Sequence, residues 1–565
     1  MANEPLIING FDTGIADSPH KGFGLLKLVD IDRFPGAVSI GKKLASLFPT
    51  ALSATVTVDA GTDIFTIASG TVPVTGYPVK VSTTGVIPTG ILTTSVYFVI
   101  RLSSTTFKLA SSVVNANAST ALNITDAGTG THTVVTVNPQ IINHIIEDKR
   151  SGVIFFQDSN GYVWYLTSGS SNALLLHQFS SPASNAKGNG IALLLTSDST
   201  ATWLFAFRNN VIDVINVFGT TQLEDPFSNW TTSWQTLNTA STVQNRHKTI
   251  YAQDNIIYYP DGQYVGSIRE LPNQVFDPSN AATYRFTKQA LDLPSFEIAN
   301  DIEELGVNLL IAGNTFDKIY PWNRISDSFD LPLTCPEKSI KRLKNIGNIV
   351  YITAGTEGNI YKTQGSYIDY FTRIPIHLTD NLFAGGATTV TWGCLEAVNG
   401  ALLVGVGANT AGNSGLYKIW PDGRMILEQI PSSGSANVIS VLASNRFYYI
   451  GYSGGADYHT GALYSGGEGV VQSPFYRVAT KTGKAKYSEV EMVLGATTGA
   501  SVVISYRTAL TASWTTLATF TIDGTNTNYK ADAGLIDIEN IQIQAEIDGT
   551  GSGHDVELLE IRLIP

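Results

Sequence analysis

Cysteine is almost missing from this chain: its 565 residues hold two, Cys335 and Cys394. Two thiols so far apart make neither a CxxC metal site nor a disulfide framework, so both are predicted to be small buried apolar residues. Charge is scarce as well. Only 15% of residues are Asp, Glu, Lys or Arg, and 35 cations against 47 anions leave a net charge of −12. A duplex binder needs cations on its contact face, so no specific nucleic-acid partner is expected. The one basic run, KSIKRLK at 338–344, reads as a solvated strand face. No stretch approaches 18 apolar residues, which argues against a membrane span. The first ten residues lack a basic and then apolar leader, so synthesis in a cytoplasm as a soluble chain is expected.

The motifs of common catalysts are missing too. There is no GxSxG elbow, no HExxH and no P-loop, and the Gly-rich stretch 405–415 has no lysine to hold a phosphate. The eight histidines (His20, His132, His144, His177, His247, His377, His459 and His554) show no i,i+2 or i,i+4 pair. No catalytic residue, metal or cofactor is predicted, and the chain is not expected to be an enzyme. What is plentiful is Gly, at 52 residues, within a composition that is 43% hydrophobic and rich in Thr and Ser. That mixture suits strands and tight turns, so the expected fold class is all-β.

One unit recurs seven times: a short apolar run, a polar Gly- or Asp-rich turn, and a second apolar run. It occupies 153–166, 203–218, 256–268, 307–320, 349–361, 401–419 and 446–464, at a period of about 49 residues. A repeat of that length predicts a seven-bladed β-propeller over 138–474. Turn residues support hairpins at 158–161, 209–210, 260–262, 313–314 and 421–423. The segment DSNGYVW at 158–164 faintly resembles the Asp-box hairpin of sialidase-type propellers, but its glycine sits one place early, and it reads as an ordinary turn.

The remainder divides into three parts. Residues 1–50 read as an N-terminal arm, which either lies on a neighbouring surface or lends the propeller a closing strand, expected at 38–40. A Pro-Gly turn is expected at 35–36. Residues 51–137 form a small inserted β domain with six alternating segments, from TVTVDA to THTVVTV. Residues 475–565 alternate over KYSEVEMVL, ASVVISYRT, WTTLATFTI, NIQIQAEI and VELLEIRLI, which predicts a C-terminal β-sandwich.

Two of these parts look familiar. GYPVKVSTTGVIPTGILTTSVYFVIRLSSTTFKLASS, followed by ITDAGTGTHTV, resembles a β module that recurs in structural proteins of tailed bacteriophages. FYRVATKTGKAKYSEVEMVL and ISYRTALTASWTTLATF resemble the terminal domain of phage tail and fibre-associated proteins. The resemblance implies a structural component of the virion, in the tail, as a nozzle, hub or fibre-attachment protein. It further implies a homo-oligomeric ring whose partners are other tail or connector proteins.

A second expectation is a receptor- or glycan-binding tail protein that uses the propeller's loop face. Aromatic faces stack on sugars and anchor interfaces. Trp230 and Trp234, in FSNWTTSWQTL, and Asp457 and His459, in ADYHT, are therefore the candidate contacts with a host surface glycan or a partner. Their alternative role is core packing, or for Asp457 and His459 an exposed loop. A third expectation, a glycan-degrading propeller, would need two carboxylates at a set separation. Asp301, Glu303, Glu304, Asp317, Asp327 and Asp330 are the residues available for that, and most read as solvated charges.

Overall fold

The computed structural model describes residues 5–9, 11, 25–32, 37–177, 190–208, 211–218, 230–237, 250–251, 255–374, 389–408, 414–433, 437–444, 447–463, 469–479, 484–497, 500–509, 512–549 and 556–565. The turns expected at 35–36 and 209–210, part of the stretch 405–415, and His20, His247, His377 and His554 lie outside them. Among the described residues the fold is all-β, and the single α-helix is Val113–Asn117. The chain divides into two compact units. One comprises Ser46–Pro332 with Gly451–Ala456, and the other Met1–Ala45, Leu333–Ile450 and Asp457–Pro565.

The 46–332 unit begins with a closed six-stranded barrel. Its order is Thr106–Ala110, Ile64–Ile67, Ser53–Asp59, His132–Thr136, Pro78–Thr83 and Tyr97–Arg101. Alternation makes it: Ala54 and Val56 point inward while Thr55 and Thr57 face water. Phe65 and Phe107 stack at its centre with centroids 5.4 Å apart.

Antiparallel sheets then follow in chain order. The first is Ile142–Asp148, Val153–Asp158, Val163–Leu166 and Leu174–His177. The second is Gly190–Leu195, Thr202–Arg208, Val211–Asn216 and Thr231–Thr236. The third is Ile250–Tyr251, Ile256–Asp261, Tyr264–Glu270 and Tyr284–Asp292. The fourth has Ala299–Leu305, Asn308–Gly313 and Lys318–Trp322, and its order ends on Leu333–Thr334, where the chain enters the second unit.

Six of the seven sequence repeats are the central hairpin of a four-stranded sheet, and the sixth, 401–419, forms the second and third strands of a longer one. These hairpins are apolar almost without alternation; Val153–Asp158 is buried at all six positions. A strand reads that way when both of its faces are covered. Consecutive sheets supply the cover. Phe155 and Tyr165 of the first sheet cluster with Leu204 and Ile215 of the second, and Phe207 of the second with Tyr259 of the third. Tyr258 of the third sheet packs with Trp322 of the fourth.

The second unit continues the series. Its first sheet is Ile340–Ile346, Ile349–Ala354, Asn359–Thr363 and Ile368–Arg373. Next come Val390–Val398, Ala401–Ala408, Gly415–Ile419 and Met425–Gln429, then Val438–Ser444, Phe447–Tyr452 and Gly455–Leu463. The fourth place in the last of these belongs to Lys42–Ser46, and Thr460 donates its hydroxyl to the Lys43 carbonyl at 3.1 Å. The edge strand therefore lies just beyond the expected 38–40. Val38 instead bridges Leu558, and Ser39–Ile40 pairs with Val29–Asp30.

The rest of the N-terminal segment is also woven in. Leu25–Lys27 runs parallel to Met425–Gln429 on one side and antiparallel to Gly469–Gln472 on the other. That insertion makes one long sheet, which continues through Asn540–Asp548, Ser501–Arg507 and Thr515–Thr521. A companion sheet holds Leu6–Ile8, Val556–Ile564, Ala485–Thr497 and Asn528–Ile538. The two share an apolar cluster that includes Val490, Met492, Ile504, Ile543, Leu558 and Leu563.

Candidate functional site

Of the residues singled out for glycan or partner contact, Trp230, Asp457 and His459 are buried and Trp234 is partly buried. Trp230 is 7% exposed and stacks on His177, with ring centroids 4.7 Å apart. Burial, helped by the nearby Arg208 charge, pulls the His177 pKa down to about 3, so this imidazole is neutral at physiological pH. Trp234 donates from Nε1 to the Pro278 carbonyl at 3.0 Å, and Phe205, Phe276, Tyr284 and Phe286 surround its ring. The two tryptophans pack into different apolar clusters. For both, the core-packing alternative describes what the side chain touches, and their rings are occupied by protein neighbours.

Asp457 is fully buried. It accepts from the Ser432 amide at 2.5 Å and the Ser432 hydroxyl at 2.8 Å, which ties that turn to the strand Gly455–Leu463. His459 is 7% exposed and packs on Tyr448, with centroids 4.8 Å apart. An exposed loop was the alternative for this pair; both instead sit in a strand. Cys335 and Cys394 are buried free thiols, and burial pushes Cys394 up to about 12.

Of the carboxylates considered for hydrolysis, Asp327 and Asp330 are exposed, while Asp301 and Glu304 serve local structure. Asp301 is fully buried and accepts from the Ile302 amide at 2.9 Å. Glu304 pairs with Arg324 at 3.1 Å. Asp158, in the Asp-box-like segment, accepts from the Asn160 and Tyr162 amides of its own hairpin, and burial raises its pKa to about 7. That is turn chemistry, as the sequence predicts.

Two acids escaped the sequence reading. Glu297 is 1% exposed and accepts from the Thr315 amide at 2.8 Å and the Tyr320 hydroxyl at 2.9 Å. Glu337 accepts from the Tyr361 hydroxyl at 2.9 Å and from the Asn359 amide group. In each case the acid precedes the first strand of its sheet, the tyrosine lies on the third, and a glycine ends the second strand or directly follows it. Gly313 leaves room for Glu297 and Gly355 for Glu337; a Cβ at either would strike the carboxylate. The sequence signal was available as Ala-Gly followed by Ile-Tyr, at 312–313 and 319–320 and again at 354–355 and 360–361.

Where the N-terminal segment meets the strand Met425–Gln429, charges gather. Lys418 Nζ lies 2.6 Å from Asp32 and 3.8 Å from Glu428, and the Tyr448 hydroxyl donates to Glu428 at 3.2 Å. Burial pushes Glu428 up to about 7 against the pull of Lys418. Burial alone would lower Lys418, but the carboxylates of Glu428 and Asp32 outweigh it and hold the ammonium above its ordinary range. The cluster ties Asp32 of the N-terminal segment to Lys418 and Glu428 on adjacent strands.

An open cavity of about 240 Å³ is lined by Ile349, Lys362, Thr363, Gln364, Ser366, Tyr367 and Asp369. It sits at the turn between Asn359–Thr363 and Ile368–Arg373. Thr363 Oγ1 donates to the Tyr367 carbonyl at 2.6 Å and accepts from the Gly365 amide at 3.0 Å, so this turn is internally braced. Tyr367 is 68% exposed.

No family model and no curated protein matches the chain. Among solved structures it is similar to the WD40 β-propeller domain of Doa1, at 12% identity and a TM-score of 0.36, over 57% of this chain and 93% of that one. It is also similar to YCF48 from Cyanidioschyzon merolae, at 9% identity and a TM-score of 0.38, over 57% and 95%. A third is the computationally designed Ika8 protein, at 10% identity and a TM-score of 0.34, over 57% and 96%. At this level of likeness no property of those proteins transfers.

Proposed function

We propose that the chain is a structural component of a tailed-phage virion, placed in the tail, where it acts as a rigid platform for assembly. In this reading the seven consecutive sheets are the blades of one propeller, and Lys42–Ser46 supplies the strand that closes it. The barrel over 53–136 and the sheets after 469 are the appended docking domains, the latter being the sandwich expected from the sequence. The observation that carries the reading is the similarity of both appended segments, in sequence, to modules of phage structural proteins, on either side of the repeats.

Two structural features support a platform. Consecutive sheets bury their faces against each other within the 46–332 unit, and in the other unit Leu403 and Leu416 cluster with Val438 and Tyr448, which resists deformation. The polar groups described above are spent on bracing turns and strands. The N-terminal strands pair within their own chain, so subunit contacts in a ring would use other surfaces than a threaded arm. The test is direct. Particles purified from a lysate that expresses an epitope-tagged chain should carry the tag, and gold-labelled antibody should decorate the tail in electron micrographs. Tag that stays in the soluble fraction, with bare particles, overturns the proposal.

A further inference from the structure

The cavity beside Tyr367 has features that the assembly role does not use. Lys362 and Asp369 are register partners on neighbouring strands, and such opposite charges ordinarily pair. Here they form no ion pair among the described residues; the Lys362 ammonium lies 5.3 Å from the Phe371 ring centroid, and both side chains line the opening. Gln364 and Ser366, on the braced turn, present an amide and a hydroxyl to the same space. Ile349 supplies an apolar wall and Tyr367 an open aromatic face. One cation and one anion cancel, which disfavours a phosphate or a polyamine as ligand. The volume lies below the usual 300–1,000 Å³ or so of pockets for larger ligands, so a single ring fits and an oligomer would have to extend outward.

We propose that this cavity is a binding subsite for one neutral pyranose unit of a saccharide. The sugar's apolar face lies on Tyr367. Its hydroxyls donate to Asp369 and accept from Lys362, with Gln364 and Ser366 completing the set. The inference is independent of a place in the virion, since a platform protein needs no such site.

Saturation-transfer difference spectra of the full chain with methyl glucoside, methyl galactoside and N-acetylglucosamine test it, with inorganic phosphate as competitor. At least one sugar should show transfer to its ring protons, insensitive to phosphate. Tyr367→Ala should weaken that sugar about tenfold or more, and Asp369→Asn should weaken it while leaving the unfolding temperature unchanged. Both side chains are exposed, so both variants are expected to fold. Transfer to none of the sugars overturns the proposal. Equal transfer in Tyr367→Ala does so too, as does displacement by phosphate.

Discussion

Arg208 donates from Nε to the Asp213 carboxylate at 2.6 Å, across the two strands of one sequence repeat. Asp213 is fully buried and its other oxygen accepts the Ser233 amide at 2.5 Å, so the pair ties three strands of the second sheet. Asp213→Ala would remove the buried carboxylate that the Arg208 guanidinium and the Ser233 amide share. The expected loss is about 3–5 kcal/mol, read as a lower urea midpoint for the 46–332 unit. Replacing both together, Arg208→Met with Asp213→Leu, should cost far less. A double variant as unstable as the single one would show that the charge pair is not the cause.

Acidity should loosen or tighten the N-terminal segment through Glu428. Its pKa is raised by burial from 4.5 to about 7 in the folded chain. The stabilisation is therefore complete below the unfolded value and is lost as pH rises through the folded one, by at most on the order of 3 kcal/mol. The Leu28 amide, bonded to the Leu427 carbonyl at 2.8 Å, reports on it. Its hydrogen-exchange protection, corrected for intrinsic rates, should fall between about pH 4.5 and 7 and level off above that. In Glu428→Gln that dependence should vanish.

Gly313→Ala tests the acid-and-tyrosine brace. The new Cβ meets the Glu297 carboxylate, so a cost of about 1–3 kcal/mol is expected. Glu297→Ala alone should also destabilise, because it leaves the Tyr320 hydroxyl and the Thr315 amide without their acceptor. Combined, the two should cost clearly less than their sum, since the obstacle is gone. Strict additivity in thermal unfolding would refute the steric account.

Much of the fold is legible in the sequence, and the gaps have physical reasons. The seven hairpins stand out because burial on both faces makes them continuous apolar runs. Outer strands such as Thr231–Thr236 and Ile368–Arg373 are half-exposed and mixed in composition, so nothing marks them. Asn528–Ile538 alternates between exposed and half-exposed positions and was missed, while its neighbours Ala485–Thr497 and Val556–Ile564 were found by their apolar faces. Trp230 and Trp234 illustrate the converse limit. A tryptophan beside polar residues looks like a contact surface until the neighbours that cover it, His177 and Phe205 among them, are placed.

Truncation separates the N-terminal strands by role. Removing residues 1–9 takes away only the edge strand beside Val556–Ile564 and should lower the melting temperature slightly. Removing residues 1–32 deletes a strand from the middle of the long sheet, and the product is expected to be insoluble or proteolysed. Soluble, protease-resistant protein from the longer deletion would mean that Met425–Gln429 and Gly469–Gln472 hold without it.

The position of Leu25–Lys27 between Met425–Gln429 and Gly469–Gln472 bears on biosynthesis. Leu25–Lys27 leaves the ribosome well ahead of Met425–Gln429 and Gly469–Gln472, so it must wait unpaired while the chain between them is made. Closing so large a loop adds little equilibrium penalty but slows maturation and lengthens exposure to aggregation and proteases. Completion of the long sheet thus waits on the capture of a strand made well before its neighbours.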